Sequence, residues 1–222
     1  MKKLALLVFI AALIGSVILT ACIKTDSFFG ERGSGNMKTE KREVAPFKAV
    51  EIGGASEIEI TVGAAQSLEI SIDDNIISSV KTTVSGDTLK IEREGKFSNS
   101  KSLKVRITVP ELTGADISGA STANIKNVKA DKLTLEASGA SRITIEGEAK
   151  DLTAEANGAS TIIADNLRTE KTKVEASGAS KVSVFATESL DAIASGASGV
   201  VYAGNPKSLN KDASGASSVS AK

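Results

Sequence analysis

A tetrapeptide that keeps returning constrains this chain more than any other feature. Ser118-Gly119-Ala120-Ser121 recurs as Ser138-Gly139-Ala140-Ser141, Asn157-Gly158-Ala159-Ser160, Ser177-Gly178-Ala179-Ser180, Ser195-Gly196-Ala197-Ser198 and Ser214-Gly215-Ala216-Ser217. The central glycines stand 20, 19, 20, 18 and 19 residues apart, and one more copy, Gly53-Gly54-Ala55-Ser56, lies 65 residues before the first of them. A period of this length is the mark of a solenoid, in which each repeat buries its apolar side only against its neighbours.

Counting from each glycine sorts the residues into columns. Four positions after it stand Ala123, Ile143, Ile162, Val182, Val200 and Val219; six after it, Ile125, Ile145, Ala164, Val184, Tyr202 and Ala221. Four before it stand Ala115, Leu135, Ala154, Val174 and Ala192, with Lys211 the exception. Two before it stand Ile117, Ala137, Ala156, Ala176, Ala194 and Ala213, and the residue after it is always Ala. Alternation of this kind on both sides of a glycine turn marks strands with one buried face. The isolated copy puts Val50, Ile52, Ala55, Ile58 and Ile60 in the same columns, so it reads as the first coil of the same wall.

Each period therefore predicts a strand, a tight corner at Gly-Ala-Ser, a second strand and a looser connection such as residues 147–151. Stacked strands lie ~4.8 Å apart, so small Ala, Val and Ile must line up coil over coil without voids. Gly54, Gly119, Gly139, Gly158, Gly178, Gly196 and Gly215 are expected at structural corners, with positive φ or close backbone approach. The flanking serines can hydrogen-bond the corner backbone or their copies in the next coil. The expected fold is all-β: a right-handed parallel β-solenoid (β-helix) with coils of about 19 residues. An antiparallel meander would also place glycine in its turns, but the fixed period favours the solenoid.

The chain opens on Lys2-Lys3, the uncharged run 4–19, and Leu19-Thr20-Ala21-Cys22. This segment resembles a bacterial lipoprotein signal, with cleavage before Cys22 and lipid attached to its sulfur. Residues 1–21 are then the signal peptide, 22–43 a lipidated cysteine with a flexible tether, and 44–222 one β-solenoid domain. Cys22 is the only cysteine, so it has no intramolecular disulfide partner. Acyl chains such as palmitate on Cys22 would make the membrane a partner and the cell envelope the address. Ile23 rather than Asp follows the cysteine, which favours the outer membrane in a Gram-negative source.

Within the domain, residues 111–222 carry the regular repeats and 44–110 form an irregular β part. Strands are expected over 57–62, 67–72, 80–84, 88–93 and 103–109, and residues 73–79 suit one helical turn capped by an aspartate. Meander-like hairpins here would lengthen and cap one end of the solenoid, whose bare edges would otherwise aggregate.

Phe47-Lys48-Ala49-Val50 before a Gly-Ala corner, the junction Val109-Pro110-Glu111-Leu112, and the repeated Ser-Gly-Ala corners add up to a family pattern. Its most specific part is Val184-Phe185-Ala186-Thr187-Glu188-Ser189-Leu190-Asp191 followed by Gly204-Asn205-Pro206-Lys207. Residues 44–220 resemble the bacterial domain of unknown function labelled putative auto-transporter adhesin, head GIN domain. The resemblance implies a β-solenoid-like fold and an adhesin role, and it brings no ligand or catalytic residue with it.

The residue inventory narrows the chemistry. The chain has no His and no Trp, and its one Cys is assigned to lipid, which excludes imidazole acid–base work and thiol nucleophiles. Balanced charge (27 basic, 27 acidic) with scattered lysines offers no nucleic-acid surface. No cofactor is expected. Three residues before each glycine stand Glu51, Asp116, Glu136, Glu155, Glu175, Ile193 and Asp212. Glu136, Glu155 and Glu175 could form a ladder for divalent cations; a solvated face softened by Lys173 and Lys181 accounts for them more simply. A polysaccharide-active β-helix enzyme would need clustered acids, and Asp73-Asp74 is the sole adjacent pair. Three roles follow in order: a surface-anchored, non-catalytic adhesion or binding module for a glycan or protein; a structural or self-associating envelope lipoprotein; and such an enzyme.

Overall fold

The computed structural model describes residues 30–222 apart from Ala64 and Asn99, so the expected signal peptide and Cys22 lie outside the described residues. Seventeen strands follow in chain order: β1 (Glu31–Arg32), β2 (Met37–Lys41), β3 (Ala49–Ile52), β4 (Ser56–Val62), β5 (Ser67–Asp73), β6 (Val80–Ser85), β7 (Thr88–Arg93), β8 (Phe97–Ser98), β9 (Leu103–Val109), β10 (Gly114–Ile117), β11 (Thr122–Ala137), β12 (Arg142–Ala156), β13 (Thr161–Ala176), β14 (Lys181–Ala194), β15 (Gly199–Ala203), β16 (Ser208–Ala213) and β17 (Ser218–Ala221).

From β10 onward the strands stack in parallel, each coil resting on the one before it. The register joins like with like: Ala123 pairs Ile143, Ile143 pairs Ile162 and Ile162 pairs Val182. On the facing wall Leu135 pairs Ala154 and Ala154 pairs Val174. All of these side chains are buried, so the column pattern is the core of a parallel β-solenoid. One column differs from expectation. The alanine after each glycine is exposed, and the serine after that is buried instead, in Ser121, Ser141, Ser160, Ser180 and Ser198. Two residues past the glycine the chain has already turned inward, and a small polar side chain with a carbonyl in reach suits that position.

The isolated Gly53-Gly54 copy joins the same stack. β3 pairs β10 in parallel and β4 pairs β11 in parallel, although a long excursion separates them in sequence. That excursion adds a further rung, because β7 runs parallel to β3 and β9 parallel to β4. The N-terminal half is thus less of a meander than its sequence suggests. Antiparallel pairing is confined to the outer layer, where β6 joins β7, β5 joins β9 and β2 joins β5.

Residues 30–43, expected as tether, belong to the fold: β1 pairs β8, and β2 covers β5. Residues 73–79 do contain a helical turn, a 3₁₀ turn over Ile77–Ser79, but no aspartate caps it, since Ile76 holds the N-cap position without a side-chain bond. Asp73 points elsewhere. Its two oxygens accept the Gly35 and Lys101 backbone N–H groups, each at 2.7 Å.

Candidate functional site

Four features could carry function, and elementary chemistry separates them. The glycine corner is a structural ridge. Its six regular glycines have φ between +73° and +76°, and each following alanine N–H donates to the glycine carbonyl one coil below at 2.7–2.8 Å. A Cβ on Gly158 would lie 2.8 Å from the Gly139 carbonyl oxygen, so the ridge has no room for side chains. Beneath it most of the serines are tied to backbone. Ser141, Ser160, Ser198 and Ser217 donate to the carbonyls of Ile117, Ala137, Ala176 and Ala194 at 2.9–3.0 Å. Ser180, in the same column, has no partner for its hydroxyl among the described residues. Serines so occupied by backbone are fasteners rather than nucleophiles.

The second feature is the acidic column. Glu51, Asp116, Glu136, Glu155 and Glu175 pair rung to rung without interruption. Lys90 meets Glu51 at 3.1 Å at one end, Lys173 meets Glu175 at 2.7 Å near the other, and Ile193 ends the run. Between those lysines Asp116, Glu136 and Glu155 form no salt bridge among the described residues, and of the three only Glu155 feels the Lys173 charge. Burial, with the Glu51 charge beside it, holds the Asp116 carboxyl above its ordinary range. Partial desolvation and the charges of Asp116 and Glu155 do the same for Glu136, although most of its side chain faces solvent. Among the described residues no group of three or more His, Cys, Asp or Glu has the geometry to hold a metal ion. The column is a solvated row of like charges whose ends are neutralised.

Asp73 is the third. It is fully buried and both of its oxygens are engaged by backbone N–H groups, which removes it from acid–base work. Around it Asn75 donates to the Arg32 carbonyl at 2.9 Å and accepts from the Ser34 N–H at 3.0 Å. The Asp73-Asp74-Asn75 turn is a clasp on the incoming chain.

The fourth feature is the side of each coil opposite the glycine corner, which no sequence motif marks as a site. Here the expected loose connection is paired backbone: Gly147 pairs both Val128 and Leu167. Register shifts nevertheless fall here in successive coils, between Ile125 and Val128, Thr144 and Glu146, and Ala164 and Arg168. The inward pairs Ile125/Leu133, Ile145/Leu152, Ala164/Thr172 and Val184/Leu190 are 8, 7, 8 and 6 residues apart. These separations account for the whole variation in glycine spacing. The uneven period is therefore the one trace this side leaves in the sequence.

The bulged side bounds a groove of about 630 Å³. Its floor is small, formed by Ala130, Ala149 and Thr169 in register. One rim carries Lys129, Glu148, Arg168 and Phe185; the other carries Asp131, Lys150, Glu170 and Thr187. The rims alternate in sign along each column and are opposite across it. Lys150 meets Asp131 at 2.7 Å, and the Arg168 guanidinium lies 5.2 Å from the centroid of the Phe185 ring. Lys150 holds the Asp131 carboxyl below its ordinary range. Threonine hydroxyls brace the Phe185 end, since buried Thr169 bonds both Thr172 and the Phe185 carbonyl, and half-buried Thr187 donates to the Thr169 carbonyl at 3.1 Å. The groove thus presents donors and acceptors in alternation along a continuously paired sheet, the makings of a recognition surface.

A parallel β-solenoid with one invariant corner and one variable, grooved side defines a class of repeat proteins that display surface. The chain belongs to the family described as putative auto-transporter adhesin, head GIN domain, whose model matches residues 46–206. No curated protein matches it in sequence. Among solved structures it is similar to a putative adhesin from Bacteroides fragilis, at 24% identity and a TM-score of 0.72 over 86% of this chain and 99% of that one. It is also similar to a putative lipid binding protein from Parabacteroides distasonis and a putative adhesin from Parabacteroides merdae. Each of these is 18% identical with a TM-score of 0.56, over 86% of this chain and 98% of the other. At these identities the likeness is one of fold.

Proposed function

We propose that this chain is a non-catalytic binding module of the bacterial cell envelope, held at a membrane by lipid on Cys22, and that its recognition surface is the bulged-side groove. One observation carries the reading: every change in coil length is absorbed on that side while the glycine corner keeps its geometry, which is how a scaffold keeps its core and varies its contacts. The adhesin description of the family and of two similar structures supports a binding role. With eight residues from Cys22 to the first described residue, the clasped N-terminal end stays within about 28 Å of the lipid. The rest of the solenoid then extends away from the clasp. The ligand is a glycan or protein able to use alternating donors and acceptors around the Arg168–Phe185 pair.

Binding to immobilised cell-wall glycan and extracellular-matrix protein, read by surface plasmon resonance, tests the groove. Arg168→Ala with Phe185→Ala should weaken a detected interaction at least about tenfold, and Glu155→Gln on the acidic wall should leave it unchanged. Binding that survives the groove variants moves recognition elsewhere. Palmitate labelling that persists in Cys22→Ser removes the anchor from the proposal.

A further inference from the structure

The charges on the rims of the bulged-side groove follow a rule that inverts at every rung. Lys129, Glu148 and Arg168 are neighbours along one rim, and Asp131, Lys150 and Glu170 stand across from them, two residues on in each strand. Every rung thus sets one cation against one carboxylate, and the cation changes sides at the next rung, ~4.8 Å away. All six side chains are exposed. Among the described residues Lys150 meets Asp131 at 2.7 Å, while Lys129, Glu148, Arg168 and Glu170 enter no salt bridge. Most of the pattern is therefore left for a ligand. Glu111, the remaining acid of the groove, is held by Lys48 at 2.7 Å.

A ligand that fits must turn over at each step of about one strand spacing. An extended peptide laid along the groove does not, because side chains on one side of it recur every ~6.7 Å. A β-1,4-linked pyranose chain does. Its equatorial links make a flat ribbon in which each sugar advances about 5 Å, close to the strand spacing, and is rotated half a turn from the last. The C5 edge of the ring and the edge carrying the C2 and C3 hydroxyls lie on opposite sides of that ribbon. With a carboxylate at C6, anion and diol exchange sides at every sugar, as cation and carboxylate do in the groove.

We propose that the groove, taken as the recognition surface, binds a β-1,4-linked polyuronate, with one sugar over each of the rungs of Lys129, Lys150 and Arg168. Each of these cations donates to a sugar carboxylate, and Asp131, Glu148 and Glu170 accept from the hydroxyls of the opposite edge. The small floor of Ala130, Ala149 and Thr169 leaves room for flat rings, and Phe185 stands on the next rung, where a fourth sugar would begin. Alternation also cancels any strong field of one sign, so selection rests on short-range pairing and not on bulk charge.

Isothermal titration of residues 22–222 carrying Cys22→Ser, which contain every described residue of the fold, tests this with cellohexauronate as the probe. It should bind at least about tenfold more tightly than cellohexaose, which lacks only the carboxylates, or hexagalacturonate, whose α-1,4 links break the flat ribbon. Lys129→Ala and Arg168→Ala should each weaken binding about tenfold. The sharpest variant exchanges one rung, Glu148→Lys with Lys150→Glu. Net charge is unchanged and one rim gains three cations in a row, yet binding should fall about tenfold or more because the alternation is lost. Circular dichroism should show parent-like melting for these exposed positions, and Lys129→Ala carries the test if the exchanged rung unfolds. Absent binding of cellohexauronate, equal binding of cellohexaose or hexagalacturonate, or an exchanged rung that binds as tightly as the parent would each overturn the polyuronate. The groove itself then stands only if Arg168→Ala with Phe185→Ala still weakens binding to cell-wall glycan or matrix protein. Cellohexauronate binding untouched by every groove variant would overturn both.

Discussion

The two halves of this molecule build one continuous sheet with different cores. Eleven alanines are buried from Ala115 to Ala194, and none is buried among the described residues before them. The earlier half is filled by Ile, Leu, Val and one Phe, under the antiparallel layer of β2, β5 and β6. In the repeats every inward side chain must match one above and one below, so the two walls sit close and small residues recur. Where hairpins fold over the end, a position is matched once and large aliphatics fill the space. Periodicity is thus a consequence of a narrow interior stacked many times, and it lapses where the stack ends.

The sharpest way to break that comparison is a charge in the middle of the stack. Ile143 is fully buried between Ala123 and Ile162, so Ile143→Asp should cost more than about 4 kcal/mol and leave the chain unfolded by circular dichroism. The same change at half-buried Val219 in the last rung should cost about 1 kcal/mol or less. Equal melting of the two variants would mean the columns do not share one interior.

The next effect belongs to the irregular half. Asp73→Ala removes the acceptor for two backbone N–H groups and leaves both in a partly buried site. Charge-assisted bonds of this kind contribute about 1.5–3 kcal/mol each, so a loss of about 3 kcal/mol is expected. Amide exchange should rise first over residues 31–41, because β1 and β2 are what the clasp holds. A uniform rise across the repeats would instead make Asp73 part of the common core.

Legibility in the sequence follows the same division. The glycine corners, the inward columns and the parallel stack are visible there because each is repeated in register. The pairing of β7 and β9 beneath β3 and β4 is not, since a single extra rung leaves no period to detect. The clasp reads as a capped turn and its partner segment as tether, because Ser34, Gly35 and Asn36 look like linker until Asp73 and Asn75 are placed beside them. Exposure of the corner alanines is hidden for a local reason: alternation counted through a turn slips by one residue when the chain reverses. Uneven glycine spacing announces the groove, yet its rims align only once the register shifts are known.

Two corner glycines sharpen the comparison further. Gly54 and Gly158 both have positive φ, +88° and +74°, but a Cβ on Gly54 meets nothing within 4 Å while one on Gly158 meets the Gly139 carbonyl. Gly54→Ala should therefore cost only the backbone penalty of about 1–2 kcal/mol. Gly158→Ala should cost about 1 kcal/mol more, because the coil below has to move. Urea midpoints measure both, and equal midpoints would show that conformation alone, and not the close approach of successive coils, requires glycine at these corners.

The smallest expected effect is pH-dependent and comes from the acidic column, which crosses the boundary between the halves at Glu51 and Asp116. Asp116 and Glu136 titrate in the folded chain above their ordinary values of 3.8 and 4.5. Between the ordinary and the raised value the folded state binds more protons than the unfolded one, so stability rises as pH falls through that window. Glu40 and Asp131 shift the other way, lowered by Lys38 and Lys150, so what they contribute is lost only below their own ordinary values. Above about 4.5 only the gain operates, whereas below it Glu40 and then Asp131 begin to lose what they contribute, so the melting temperature should rise as pH falls from neutrality toward that value and drop again at lower pH. Because Asp116 is only half-buried and Glu136 is exposed, solvent screening keeps the gain from pH 7 below about 1 kcal/mol, or about 2–4 °C. Glu136→Gln should flatten the rise by removing the middle charge of the row, and molar salt should shrink it in the parent by screening the same repulsion. A rise unchanged in Glu136→Gln would place its origin outside the column and reduce the five stacked carboxylates to independent surface groups.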